Sequence, residues 1–334
     1  MERSDDSGRP GVGFIGLGAM GAPMAANILS AGYALVVNDV RAAAATPLIA
    51  AGAQWADTPA EVAARSELIF GCLPNLAAIE AVALGPDGVL SGIRAGCAYF
   101  DTSTGAPDLA LRIHRAFAER GAHMLEAPVS GGALGARRAR LAIWVGGDRD
   151  AYERAEPVLR AMGRPLLLGA VGAALRTKLV NNCASQMVQA AIAEVFAFGV
   201  KAGIEPLALW QALRQGAAGS RRTYDGLIDQ YLPGRFDEPQ AALRIIDKDM
   251  ALALELAASL DVPLPIAERA RADIAEAMRR GWAERDSRAT MLLPLERAGA
   301  RVEVDPSRIA AVLAEDPPAP SDIKHGAGSA VPPA

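Results

Sequence analysis

The chain has 334 residues, 51% of them hydrophobic and 22% charged. That is material for one large domain or two ordinary ones, and it excludes disorder over the whole length. The formal net charge of −4 and the lack of a long basic run argue against a nucleic-acid or anionic-membrane partner.

The opening MERSDDSGRPG is polar and acidic, so residues 1–10 are expected to be a flexible start rather than a secretory leader. Short apolar strands are predicted at Val12–Ile15, Ala34–Asn38, Glu67–Cys72, Ala98–Phe100, His123–Glu126 and Leu141–Val145. Alanine-rich helical stretches such as Met20–Ala31 and Asp108–Arg120 lie between them. Strands alternating with helices predict an α/β fold with a doubly wound, mainly parallel sheet. After Gly169 the texture turns helical, with helices predicted over Thr177–Ala202, Pro206–Gln215, Leu243–Leu260 and Pro265–Arg280. Asp261-Val262-Pro263-Leu264-Pro265 breaks the last two apart. The expected division is 11–170 for a dinucleotide-binding domain, 171–300 for an all-α domain, and 301–334 for a C-terminal extension, disordered from about 316.

No stretch approaches the ~20 apolar residues that span a bilayer. Cys72, Cys97 and Cys183 are far apart, and His114, His123 and His325 share no ligand spacing. The expectation is a reducing cytoplasm, with no disulfide framework and no metal.

Val12–Ile15 runs straight into Gly16-Leu17-Gly18-Ala19-Met20-Gly21, a GxGxxG that follows a strand and opens a helix. Gly16 permits the tight turn, Gly18 lets the backbone approach a pyrophosphate, and Gly21 lets helix and strand pack closely. The free N–H groups and dipole of the helix start favour a diphosphate. The second strand ends at Asn38-Asp39, near the ~20-residue offset of an acid that holds a ribose 2′-hydroxyl. A carboxylate there repels a 2′-phosphate, so NAD is favoured over NADP. Arg41 is either a solvated charge or a group that softens the preference.

Gly13–Leu29 (GFIGLGAMGAPMAANIL) resembles the start of the β-hydroxyacid dehydrogenase family, and the resemblance continues in order along the chain. Cys72-Leu73-Pro74-Asn75 is similar to the family's strand-end Leu-Pro beside the cofactor, and Asp101–Thr104 with Pro107 to its D-x-S-T-x-x-P segment. Glu126–Gly132 (EAPVSGG) resembles the substrate motif D-A-P-V-S-G-G, with Glu where Asp is usual. Gly169–Asn182 resembles the segment of the catalytic lysine, and Leu243–Leu252 the late Lys-Asp motif. The resemblance covers roughly 12–300 and implies a Rossmann domain followed by a helical one, in a homodimer or homotetramer. Before the sixth strand, Ala139-Arg140-Leu141 replaces the common Gly-Thr-Leu, and Ala174 stands at a frequent glycine.

These residues suit oxidation of an alcohol, in which the cofactor exchanges hydride and the protein handles the proton. Lys178 is the candidate acid/base. Its ammonium can donate to a forming alkoxide, its amine can accept the hydroxyl proton, and burial favours the amine. Asn182 lies four residues on, on the same helix face, where an amide can hydrogen-bond the reacting hydroxyl without adding charge. Asn181 is expected to be structural. Ser130, Gly131 and Gly132 offer a hydroxyl and two unobstructed N–H groups to a substrate carboxylate, and Ser103 can add a hydroxyl. The resemblance places Leu73, Pro74 and Thr104 beside the cofactor. Leu17 and Met20 belong to the glycine loop, and Lys248 reaches cofactor or substrate from the helical half or else pairs with Asp247 or Asp249.

The reading that results is an NAD-dependent dehydrogenase of a small 3-hydroxy acid, reversible to the semialdehyde, with NADP less favoured. A reductase of tartronate- or succinate-semialdehyde type is the alternative within enzymes. An inactive cofactor-binding scaffold is the alternative outside them. Imine reductases share the architecture but typically lack the lysine. 6-Phosphogluconate dehydrogenase has a longer chain and a histidine just after the lysine's position. Arg137, Arg138 and Arg140 are either solvated charges or, for Arg140, a fork of donors for a second anionic group on the substrate.

Overall fold

A computed structural model describes residues 9–201, 203–216, 225–259 and 264–314. Most of the expected flexible start, the centre of the breaker at 261–263 and the expected disordered tail lie outside these residues. The described residues fall into two compact units, one drawn from Met1–Met187 and Gln240–Ala283, the other from Val188–Pro239 and Glu284–Ala334.

The first unit begins with β1 (Val12–Ile15), α1 (Gly21–Ser30), β2 (Leu35–Asn38), α2 (Thr46–Ala50), β3 (Gln54–Trp55), α3 (Pro59–Ala64) and β4 (Leu68–Gly71). It continues with α4 (Leu76–Leu84), α5 (Val89–Gly92), β5 (Ala98–Asp101), α6 (Pro107–Glu119), β6 (His123–Glu126), β7 (Val129–Ser130), α7 (Gly132–Arg137), β8 (Leu141–Gly146), α8 (Arg149–Met162) and β9 (Gly163–Gly169). The strand order is β3-β2-β1-β4-β5-β6-β8-β7, with β9 on β8. Pairing is parallel from β3 to β6, antiparallel at β6–β8 and β7–β8, and parallel again at β8–β9. The order reverses between β1 and β4, and it is at such a switch point that open α/β sheets bind ligands.

Both faces of the sheet are covered, so its strands are apolar throughout rather than alternating. On one face Phe14, Phe70 and Phe100 stack across β1, β4 and β5, with centroids 6.3 and 5.1 Å apart. Met24 and Ile28 of α1 join this core. Each such side chain contributes roughly 1.5–3 kcal/mol on burial. On the other face Ile15, Ile69, Tyr99 and Met124 pack with Val62, Ile113 and Phe117 of the helices.

All six predicted strands are present, within about one residue at each end. The strands β3, β7 and β9 were not expected. Two have only two residues, too short for a period to show. In β9, Gly163-Arg164-Pro165 masks the apolar run of Leu166–Leu168.

The helical part comprises α9 (Ala173–Lys201), α10 (Pro206–Gln215), α11 (Leu243–Ser259), α12 (Pro265–Arg279), α13 (Leu292–Ala298) and α14 (Pro306–Ala314). Helix α9 begins four residues before the predicted Thr177. Its start carries no local capping residue, and the cap comes from elsewhere in the chain. Among the described residues no helix is long and apolar enough to cross a membrane.

Candidate active site

The glycine loop is held in place from below. Gly16 has φ +90°, which a side chain rarely adopts, and a Cβ on Gly21 would strike the Gly16 carbonyl. Gly18 differs, since a Cβ there would meet nothing within 4 Å. Its bare backbone faces free space, which is what close approach of a pyrophosphate requires. No side chain caps the start of α1, and its first turn carries no acid. The N-terminus is left available to an anion. Met20 is its N-cap residue. At the end of β2, the Asp39 carboxylate accepts from Leu17 N–H at 2.6 Å and from Arg41 N–H at 2.8 Å. Asp39 therefore ties the loop to the adjoining strand, while Arg41 is largely exposed with Nε 3.7 Å from it. Gly16, Leu17, Gly18, Met20, Gly21 and Asp39 thus form one continuous feature that fits a dinucleotide.

A second group assembles beyond the ends of β4 and β5. Asp101 is buried and accepts from Ser103 N–H at 3.0 Å. Burial raises its pKa, opposed by the Ser103 hydrogen bonds and by Lys248. Ser103 Oγ accepts from Leu73 N–H at 2.8 Å, joining the segment before Pro107 to Leu73-Pro74. Lys248 Nζ donates to the Thr104 carbonyl at 2.8 Å and lies 3.1 Å from Asp249 Oδ1. Asp249 is only 3% exposed and accepts from Asn182 Nδ2 at 2.6 Å. Asn181 donates to Asn182 Oδ1 at 3.3 Å, in keeping with a structural role.

Lys178 stands one turn before Asn182 on α9. Burial pushes its pKa below the ordinary lysine value; Asp249 opposes that shift and Lys248 adds to it. An amine whose pKa is lowered, beside a carboxylate and an amide, can either donate or accept a proton.

The Ser130–Gly132 segment lies on β7 and the turn into α7. Ser130 pairs with Ala142, and Gly131 and Gly132 have φ +133° and +61°. No hydrogen bond among the described residues joins it to Lys178, Asn182 or Ser103. On β8, Leu141, Ile143 and Val145 are fully buried while Ala142 and Trp144 are half-buried. Arg140, immediately before β8, is exposed, and Ala142, two residues on, pairs with Ser130. Arg137 and Arg138 are exposed as well.

Among the described residues no group of His, Cys, Asp or Glu side chains is placed to hold a metal ion. Cys72, Cys97 and Cys183 are unpaired, and burial pushes the Cys72 thiol up to about 11.

A family model described as the NAD-binding domain of 6-phosphogluconate dehydrogenase matches residues 11–180. A second, described as the NAD-binding of NADP-dependent 3-hydroxyisobutyrate dehydrogenase, matches 172–293. The chain is 36% identical over 256 residues to 2-(hydroxymethyl)glutarate dehydrogenase of Eubacterium barkeri, covering 76% of this chain and 85% of that protein. It belongs to the β-hydroxyacid dehydrogenase family. It is also 36% identical over 281 residues to the NAD-dependent L-serine dehydrogenase of Pseudomonas aeruginosa, covering 82% and 94%. Among solved structures, the 3-hydroxyisobutyrate dehydrogenase of Mycobacterium tuberculosis with L-serine superposes with a TM-score of 0.75 at 29% identity, covering 85% of this chain and 99% of that one.

Membership makes the chain an oxidoreductase of the NAD(P)-dependent hydroxyacid dehydrogenase type with an NAD-binding domain. Its sheet order and helical C-terminal region are those of a Rossmann domain followed by an all-α domain. Two residues of the network carried too weak a signal in the sequence. Asp249 looked like one end of a salt bridge with Lys248, and nothing in the sequence shows that it also holds Asn182. Glu126 stood out only as the residue in place of the usual Asp.

Proposed function

We propose that the protein is an NAD-dependent dehydrogenase that interconverts a small 3-hydroxy acid and its semialdehyde, with Lys178 as acid/base. The observation that carries this reading is Lys178 itself, half-buried on α9, its pKa lowered, one turn before Asn182, which is hydrogen-bonded to the buried Asp249. In the oxidative direction Lys178 Nζ, as the amine, takes the hydroxyl proton; in reduction, as ammonium, it returns a proton to the forming alkoxide. Asp249 orients Asn182, whose amide steadies the reacting oxygen. Ser130, Gly131 and Gly132, with Ser103, hold the substrate carboxylate.

A bound nicotinamide dinucleotide would supply the hydride acceptor or donor. Gly16, Leu17, Gly18, Met20 and Gly21 would hold its diphosphate, Asp39 its ribose diol, and Leu73, Pro74, Thr104 and Lys248 its nicotinamide end. The Asp39 carboxylate supports NAD over NADP. The domain division proposed is 11–170 for cofactor and 171–300 for the helical part. The exposed apolar Val180 and Val188 on α9, in line with Ala184 and Ala191, support a homodimer or homotetramer. The unpaired cysteines support a reducing, cytoplasmic setting.

The named substrates of the relatives share one skeleton, HOCH2–CHR–COO−. R is an ammonium in L-serine, a methyl in 3-hydroxyisobutyrate and a carboxyethyl arm in 2-(hydroxymethyl)glutarate. Arg140, exposed and two residues before Ala142, the partner of Ser130, supports an anionic or strongly polar R here. The test is turnover of these three acids with NAD. NAD-dependent oxidation of at least one is expected; binding of NAD with no turnover of any hydroxy acid would favour a scaffold instead.

A further inference from the structure

Helix α9 carries Lys178, and its N-terminus poses a problem of accounting. A helix leaves four N–H groups without intrahelical partners, and Ser, Thr, Asp or Asn usually satisfies some of them locally. The approach to α9, Gly169-Ala170-Val171-Gly172-Ala173-Ala174, contains none of these residues. Arg176 N–H donates to the Gly172 carbonyl at 3.2 Å, which makes Gly172 the capping position. Ala173 N–H donates to the Ala170 carbonyl at 3.1 Å. The remaining three, Gly172, Ala174 and Leu175, all donate to one atom, Glu126 Oε1, at 2.7, 2.7 and 3.3 Å.

Glu126 is the last residue of β6, fully buried, more than forty residues upstream. Its register neighbour on β8 is Gly146, where a Cβ would run into the Glu126 carboxylate. The pocket is thus shaped for this side chain. Its second oxygen, Oε2, is buried with no hydrogen-bond partner.

We propose that Glu126 is a positioning residue of the reaction: its carboxylate supplies the cap that α9 lacks and so fixes the first turn of the helix, on which the turn carrying Lys178 is built. The proposal rests on Lys178 being the acid/base. Lys178 lies six residues past the cap, so a loosened first turn displaces it directly. The carboxylate is the better cap, because an anion at a helix N-terminus is favoured by the dipole and three donors converge on it. Burial nevertheless pushes Glu126 up to about 7, opposed by those N–H groups and by Arg176. The charged groups facing it are few. Arg176 on α9 is exposed, Asp101 is its register partner on β5, and β8 and the 170–172 turn bring only backbone. The cap therefore loses its charge as pH falls through about 7.

The test uses the full chain, NADH and the semialdehyde of whichever of the three acids the wild type turns over best, in wild type, Glu126→Gln and Glu126→Asp, from pH 5.5 to 9. In reduction Lys178 must be protonated and limits the alkaline side, so an acid limb belongs to another group. The wild type is expected to show an acid limb in kcat near pH 7. Glu126→Gln, of the same shape but fixed neutral, should lose that limb, lower kcat about five- to twentyfold at pH 8 and change KM less than twofold. Its melting temperature at pH 8 should match or exceed that of the wild type, since a buried charge is gone. Glu126→Asp should keep the limb and rank between the two in kcat. Hydrogen exchange at amides 172–175 should speed up in Glu126→Gln.

An acid limb that persists in Glu126→Gln overturns the proposal. So does an unchanged kcat, or a kcat that falls only in step with melting temperature. No turnover in the wild type would instead defeat the Lys178 reading, and full activity of Lys178→Ala would do so independently of any Glu126 variant.

Discussion

Two helix starts in the same unit are built in opposite ways. That of α1 is bare: no side-chain cap, no acid in its first turn, and open space over Gly18. That of α9 is filled, with one carboxylate oxygen from β6 taking three of its four free N–H groups. Both present the same positive end of a helix dipole. The difference shows how one backbone feature serves two ends. Left open, it waits for a ligand's anion; closed from across the sheet, it holds a reactive side chain still.

The comparison can be broken first at α1. Gly21→Val should lower NAD affinity more than a hundredfold and lower the melting temperature too, because a Cβ strikes the Gly16 carbonyl. Gly18→Ala has room and should melt within a degree or two of wild type, yet lose about tenfold or more in NAD affinity. Calorimetric titration alongside thermal melts separates the two. If Gly18→Ala bound NAD as tightly as wild type, the space over Gly18 would not be a ligand's space.

Asp39 sharpens the same end. Asp39→Asn removes the charge that repels a 2′-phosphate while keeping acceptor and shape. The ratio of NAD to NADP affinity is expected to fall about tenfold, roughly 1.4 kcal/mol. A wild-type protein that bound NADP more tightly than NAD would refute the assignment outright.

At α9 the prediction concerns stability. Glu126 is raised from 4.5 to about 7 in the folded protein. A carboxyl with a raised pKa binds its proton more tightly when folded, so its contribution to stability declines as pH rises between about 4.5 and 7. The loss is on the order of 3 kcal/mol across that window. Denaturant titrations at a series of pH values should show this slope in the wild type and a flatter one in Glu126→Gln. Parallel curves would assign the slope to other groups.

The smallest effect is expected at Arg140. Arg140→Thr should reduce kcat/KM for 2-(hydroxymethyl)glutarate relative to 3-hydroxyisobutyrate by about three- to tenfold, as for one exposed ion pair or charge-assisted hydrogen bond. An unchanged ratio would make Arg140 surface charge only.

The open helix start was the more legible of the two. GxGxxG after a strand, with Asp39 at the end of the next, is a local pattern, and every contact in it lies within about 25 residues. The strands were legible for a similar reason. Each strand buried on both faces is a short apolar run bounded by turn residues, whereas β3 and β7 are too short to signal and β9 opens on Gly-Arg-Pro. The closed start was hidden because its cap is non-local. The sequence before α9 offers no capping residue, which moved the predicted start four residues too late, and no spacing rule links Glu126 to Ala174. Asp249 was hidden likewise, since its partner Asn182 lies 67 residues away. Lys178 and Asn182 were visible as a pair only because one helix puts them a turn apart.

The most direct test of the functional reading is a single variant, Lys178→Ala, measured for NAD affinity and for turnover on whichever of the three 3-hydroxy acids the wild type oxidises best. A general acid–base group contributes about 10²–10⁴-fold. Turnover is expected to fall by that factor while NAD affinity stays within twofold of wild type. A variant that retained more than a tenth of wild-type turnover would show that Lys178 does not move the proton.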